Sequence, residues 1–182
     1  MSADIHLPTI EPSCLRRAAF FDRDGVLIHD VGYPHREEQL TLMDGAAEAV
    51  RRLNRAGHLV VIVTNQSGVA RGYFSEQQMH DFNDRLVSRL FSEGARVDAV
   101  YACPFHENAA DPVYFHPDHP DRKPNPGMLH RAAHDLPIDL SRSFLIGDRE
   151  SDLEAARRAQ VVPFLFTGGN LSSFLDENGL IG

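Results

Sequence analysis

The stretch "AAFFDRDGVL", Ala18 to Leu27, runs an apolar segment into two aspartates one residue apart, Asp22 and Asp24, and then breaks at Gly25. Its aromatic content and the turn residues behind it read as a short buried strand from Ala18 to Asp22. At strand spacing, side chains two apart share a side, so the carboxylates fall together and Arg23 faces outward. Like charges so placed repel each other, which costs stability unless a cation or a reaction uses them. The fold and the chemistry both turn on what else reaches that place.

Four more apolar segments carry strand signals: Leu59 to Thr64, Val97 to Cys103, Phe144 to Gly147 and Val161 to Phe166. Helical patterns lie between them. Ala46, Val50 and Leu53 repeat after Asp44, an N-cap candidate, and Gly57 ends the run. Ser75 and Gln78 make a capping box ahead of a stripe of Met79, Phe82, Leu86 and Leu90, with Gly94 as the stop; such a stripe belongs to a core. A third helix starts at Asn125 with Pro126 in its first position, and a fourth with Ser151. Strand and helix alternating in this way predict an α/β fold, a doubly wound, Rossmann-like parallel sheet. Ligands bind beyond the carboxyl ends of such strands. The strand-closing residues therefore belong together: Asp22 and Asp24, Thr64 and Asn65, Cys103, and Asp148.

Composition narrows the class. The chain has 182 residues, 42% hydrophobic and 24% charged, which suits one domain over 18–182 after a loose tail at 1–17. No apolar run approaches the roughly 20 residues of a spanning helix, and the start lacks the features of a secretion signal. Two cysteines, Cys14 and Cys103, fit a reducing cytoplasm. A net charge of -8 argues against nucleic-acid or membrane partners, so an anionic substrate needs a metal ion or a few placed cations. A monomer is expected.

Asp22, Asp24 and Asp148 at one sheet edge make a hard-oxygen site suited to Mg²⁺. "VIVTNQSG" adds a hydroxyl and successive backbone N–H groups, and "RKPNPGM" adds Lys123 beside a helix start. "LIGDRESD" supplies a strand, a glycine turn and two acids; Asp152 either orients the site or favours the helix N-terminus.

With "FFDRDGV", these motifs resemble, in order, the four of the haloacid dehalogenase superfamily of phosphatases, over nearly everything from Ala18 to Phe166. The resemblance implies that Asp22 is the nucleophile and Asp24 the general acid and base. It makes Thr64 and Lys123 the groups that steady the phosphoryl group, and assigns Mg²⁺ to Asp22, the backbone carbonyl of Asp24, and Asp148. The spans between motifs leave no room for a cap domain, so an open site is expected.

Within the superfamily, "DGVLIHDVGYPH" and "TNQSGVARGYF" are similar to the D-glycero-D-manno-heptose 1,7-bisphosphate 7-phosphatase family of lipopolysaccharide precursor synthesis, close to the histidinol-phosphate phosphatases. That similarity implies a sugar phosphate substrate touched by Asp30, Val31, Gly32 and Tyr33, by Asn65, Gln66 and Ser67, and by Arg149. It gives Arg122 the phosphate that stays. Members of the family often hold structural zinc through C-x-H and C-x-C; here those positions read Cys103, Phe105, His119 and Asp121. A rearranged set of Cys103, His106, His116 and His119 keeps zinc-like spacing. The alternative, which the lost ligands favour, is a zinc-free loop with solvent-exposed histidines. Three other readings stand beside this one: a histidinol-phosphate phosphatase, a receiver-type phosphoacceptor domain, and a 3′-phosphatase of nucleic-acid ends. Asp24 argues against the second and the acidic charge against the third.

Overall fold

A computed structural model describes residues 14–181. Five strands, β1 (Ala18–Phe21), β2 (Leu59–Asn65), β3 (Ala99–Cys103), β4 (Phe144–Gly147) and β5 (Val162–Leu165), form one sheet in the order β3-β2-β1-β4-β5. Every pairing is parallel, with Phe20 opposite Val61 and Leu145. Because both faces are covered, the central strands read as unbroken apolar runs rather than as alternation.

Alternate residues serve different layers. Ala19, Phe21, Val60, Ile62 and Ile146 pack with apolar residues of α1 (Ala46–Arg55), α3 (Glu76–Ser92) and α6 (Leu171–Glu177). Ala18, Phe20, Val61, Val63 and Leu145 pack with those of α4 (Gly127–Asp135) and α5 (Glu150–Arg158). A short α2 (Ser67–Ala70) follows β2 directly. Residues 22–45 form a loop pinned by bridges from Ile28 to Asp24 and Leu42, and residues 104–126 form the other long connection. Among the described residues neither holds a separate cap domain, as the motif spacing leads one to expect.

The helix that the sequence describes best, α3, has its Ser75–Gln78 capping box. Elsewhere the starts shift. Gly45, at φ 74°, precedes α1 in place of Asp44, and Pro126 rather than Asn125 precedes α4. Helix α5 begins at Glu150, before Ser151, because the Asp152 carboxylate accepts from the Arg149 backbone N–H. Nothing in the motif reading announces α6, which Asn170 caps and which buries Leu171 and Leu175 against the α1 layer. Residues 1–13 of the expected tail lie outside the described part. Arg16 and Arg17 are bound: the Arg16 backbone exchanges hydrogen bonds with Pro137 and Asp139, and the Arg17 carbonyl accepts from Leu59.

His58, at the entry to β2, is 3% exposed with its ring edge-on to Phe144, and its buried Nδ1 has no hydrogen-bond partner. Burial, and then the charge of Arg17, drive its pKa down to about 4. The unfolded imidazole titrates at about 6.5. As pH falls from there to about 4, the unfolded chain takes up a proton that the folded one refuses, so stability is lost across that window. His58→Phe should flatten the fall of the urea midpoint between those pH values; an unchanged slope would count against this role.

Candidate active site

Lys123 organises the carboxyl edge of the sheet. It is 4% exposed, and its ammonium donates to the Val63 carbonyl at 2.8 Å and pairs with Asp22 at 3.0 Å and Asp152 at 2.6 Å. All three ammonium protons are thereby used. Burial alone would pull its pKa down, but Asp22 and Asp152 outweigh that and hold it above the ordinary lysine value. The residue arrives there by a two-bond lock: Asn65 Nδ2 donates to the Lys123 carbonyl, and the Lys123 N–H donates to Asn65 Oδ1.

Asp22, Asp148 and Asp152 each bring a carboxylate oxygen within 4.8 Å of the others. The three are not equivalent. Asp152 is committed to Lys123 and to the Arg149 N–H, so it both orients the site and caps α5. It fits only because Gly147 has no side chain, since a Cβ there would collide with it. Asp148 is the opposite case: its buried Oδ1 has no hydrogen-bond partner. Burial, then the charges of Asp22 and Asp152, push its pKa up to about 6. Gly25, at φ 83°, leaves the space that Asp148 fills, and any Cβ there would meet its Oδ2. An orphaned carboxylate beside Asp22 is the donor set of a hard divalent cation, and the residues fit Mg²⁺.

Arg23 does not face outward. The strand ends at Phe21, so the alternation that would turn it out does not extend to it, and the side chain is wholly buried. Its Nε and Nη2 hold the two oxygens of Asp24 at 2.8 and 3.0 Å. Gln66 Nε2 adds a third bond to Asp24 Oδ2 at 3.0 Å and another to Thr64 Oγ1 at 2.9 Å. Burial raises the Asp24 pKa, with Arg23 opposing the rise.

These groups open onto a cleft of about 330 Å³. Its lining gathers most of the residues named from the sequence: Asp22, Asp24 and Lys123, with Asn65, Gln66 and Ser67, and Asp30, Gly32, Tyr33, Arg122 and Arg149. Thr64 is buried and meets the cleft through Gln66, while Val31 is exposed and does not line it. Arg149 reaches Asp30 at 3.0 Å, which ties the 30–33 turn to the metal-side helix. Arg122, whose pKa burial lowers with the nearby charge of Arg71 adding to the effect, donates to the Phe105 carbonyl at 3.3 Å. Arg71 was not singled out by the sequence reading; its Nη2 lies 3.2 Å from His106 Nε2, and "VARG" alone gave no sign of that neighbour.

The rearranged zinc set is not assembled. Cys103 Sγ and His119 Nδ1 are 3.8 Å apart, but His106 is turned to Arg71, and the Nδ1 atoms of His106, His116 and His119 accept backbone N–H groups of Asn108, Asp118 and Asp121. Burial pushes the Cys103 thiol up to about 11. Nor are the histidines all solvent-exposed, since His106 is buried. The ring of Phe105 stacks on His119 with centroids 4.1 Å apart and planes 4° from parallel. Asp121 pairs with Arg131, and His106 bridges Phe115.

The chain matches known proteins over most of its length. Residues 19–84 match the haloacid dehalogenase-like hydrolase family, and residues 121–173 match a HAD-hydrolase-like family. A D-glycero-beta-D-manno-heptose-1,7-bisphosphate 7-phosphatase of Rhodopseudomonas palustris is 44% identical over 163 residues, covering 89% of this chain and 89% of that protein. A HAD-like phosphatase structure from Mesorhizobium loti aligns at TM-score 0.81 and 42% identity, over 91% of this chain and 78% of its own. The D,D-heptose 1,7-bisphosphate phosphatase of B. bronchiseptica, solved with magnesium and phosphate, aligns at TM-score 0.72 and 32% identity, over 90% and 87%.

A loop closed by stacking should not depend on zinc. Prolonged chelation should leave the thermal midpoint measured in chelator-free buffer unchanged. Phe105→Ala should lower it by about 2 to 6 °C, from the worth of an aromatic pair and the usual slope for a domain of this size. One tightly held zinc per chain, with a midpoint that drops on its removal, would overturn the assignment.

Proposed function

We infer the chemistry from a chain that belongs to the haloacid dehalogenase-like hydrolases and, within them, to the D-glycero-D-manno-heptose-1,7-bisphosphate 7-phosphatase family. The enzyme removes the C7 phosphate of the heptose bisphosphate. The single observation that carries the reading is the meeting of Asp22, paired with buried Lys123, and Asp148, whose Oδ1 has no partner, beside a cleft whose lining includes Asp22, Lys123 and Arg122.

Asp22 and Asp148, with the backbone carbonyl of Asp24, would hold Mg²⁺, which supplies positive charge against the phosphoryl oxygens. An Asp22 carboxylate oxygen attacks phosphorus as the bond to the sugar oxygen breaks. Asp24 gives that oxygen its proton, which a poor alkoxide leaving group needs. The result is a phosphoryl group on Asp22 and a carboxylate at Asp24. Asp24 then takes a proton from water as the water oxygen attacks phosphorus, releasing phosphate and restoring both side chains. Lys123 and Thr64 belong to this machinery: the ammonium faces Asp22 throughout, and Thr64 anchors Gln66 beside Asp24.

Arg122 is assigned the phosphate that stays, a task that suits a planar two-pronged donor. A second cation in the cleft favours a substrate with a second anion over histidinol phosphate. Asp30, Gly32, Tyr33 and Arg149 set the sugar's position, and Asn65, Gln66 and Ser67 the wall opposite. A monomer in the cytoplasm is proposed, and the two free thiols suit a reducing compartment.

Asp22→Asn should reduce turnover of the bisphosphate at least about a thousandfold, the scale of a lost nucleophile. Arg122→Ala should raise KM for the bisphosphate far more than for a sugar monophosphate. Retained turnover in the first would exclude covalent catalysis at Asp22, and equal losses in the second would remove the distal-phosphate role.

A further inference from the structure

Arg23 has the largest wholly buried side chain of the described residues, and no step of the reaction so far uses it. A buried ion pair is weak as a stabilising device, since its desolvation cost is large and apolar packing often does as well. This one is bound by groups from separate parts of the chain. Nε and Nη2 grip Asp24, Nη1 donates to Asn83 Oδ1 on α3 at 2.8 Å, and Nη2 also meets the Pro34 carbonyl at 3.1 Å and Gln66 Oε1 at 3.0 Å. The guanidinium carbon sits 4.8 Å over the Phe82 ring. Such a cation has one orientation available to it, and through the fork it gives Asp24 one carboxylate plane.

The hydrogen-bond account then separates the two oxygens of Asp24. Oδ2 accepts from both Arg23 and Gln66, whereas Oδ1 accepts from Arg23 alone. With two acceptor directions on each oxygen, Oδ1 keeps one uncommitted. We propose that Arg23 is a positioning residue for the reaction: its anchored fork fixes Asp24 so that Oδ1 is the oxygen that hands the proton to the leaving sugar oxygen and later takes one from water. This rests on the acid and base role of Asp24 given above. The proton count is unchanged, one delivered in the first half-reaction and one recovered in the second, and Arg23 exchanges none. Lysine in its place keeps a point charge but cannot hold both oxygens.

The test compares leaving-group release in a single turnover, which reads the first half-reaction and not the shared hydrolysis of phosphorylated Asp22, for an alkyl phosphate, the heptose bisphosphate, and an aryl phosphate, p-nitrophenyl phosphate, in saturating Mg²⁺. An aryl oxide leaves with little help from an acid, so loss of positioned proton transfer falls on the alkyl substrate. In Arg23→Lys, the single-turnover rate of leaving-group release from the alkyl phosphate should drop about 10²-fold or more, the scale of general acid catalysis, while that from the aryl phosphate stays within roughly a few-fold. Asn83→Ala, which removes the anchor and touches no reacting group, should shift the same ratio in the same direction by a smaller factor, and it bears the test if Arg23→Lys does not fold. Asp24→Asn, run beside them, should show the alkyl-selective loss in full. If Asp24→Asn shows it and the other variants lose both rates equally, or neither, Arg23 is structural and the proposal fails. If Asp24→Asn itself loses both rates equally, the acid role falls and the proposal with it, by a distinguishable signature.

Discussion

Carboxylates crowded at the carboxyl edge of a parallel sheet would drive that edge apart if nothing opposed them. Here a buried ammonium opposes Asp22 and Asp152, as the buried Arg23 guanidinium opposes Asp24. Lys123 spends its three protons on Val63, Asp22 and Asp152, so one side chain joins β2, the end of β1 and the start of α5. The ammonium is shared between Asp22 and Asp152, so the oxygen left without a partner is Asp148 Oδ1, beside Asp22, where a divalent cation is wanted.

The same economy extends outward from the edge. The Asn65 side chain fixes Lys123 through two backbone hydrogen bonds, so the 104–126 connection must end where β2 ends. Missing side chains at Gly25 and Gly147 let Asp148 and Asp152 come close to the backbone. On the far side of the cleft, Arg149 pairs with Asp30 and Arg122 leans on the Phe105 carbonyl, so the loops that meet the substrate are tied to the elements that hold the reacting groups. With no cap among the described residues, selectivity falls to these loops.

In the 104–126 connection stacking and backbone hydrogen bonds hold the histidines. Phe105 stands where the family pattern has a histidine, and its ring lies flat on His119, whose nitrogen is already taken by the Asp121 N–H. Stacking and backbone hydrogen bonds do locally what a tetrahedral ion does at a distance. The loop still delivers Arg122 and Lys123 to the cleft.

The sequence by itself determined the alternation of strand and helix, the parallel sheet, the capless outline and the meeting of Asp22, Asp24, Lys123 and Asp148. The alternation, the sheet and the shared edge of the aspartates follow from apolar periodicity and the rule that strand ends meet, which are local and topological facts, whereas the place of Lys123 and the capless outline came through the four motifs and their resemblance. Strand bounds came within a residue or two, and helix starts shifted where a cap depended on a partner, as with Asp152 and Arg149. Only the tertiary structure decided that Arg23 turns inward, that Asp152 belongs to Lys123, that α6 closes one layer and that the four zinc candidates do not converge. Each of these depends on contacts between segments far apart in the chain, such as Arg23 with Asn83 and His106 with Arg71, and alternation along a strand says nothing about a side chain once the strand has ended.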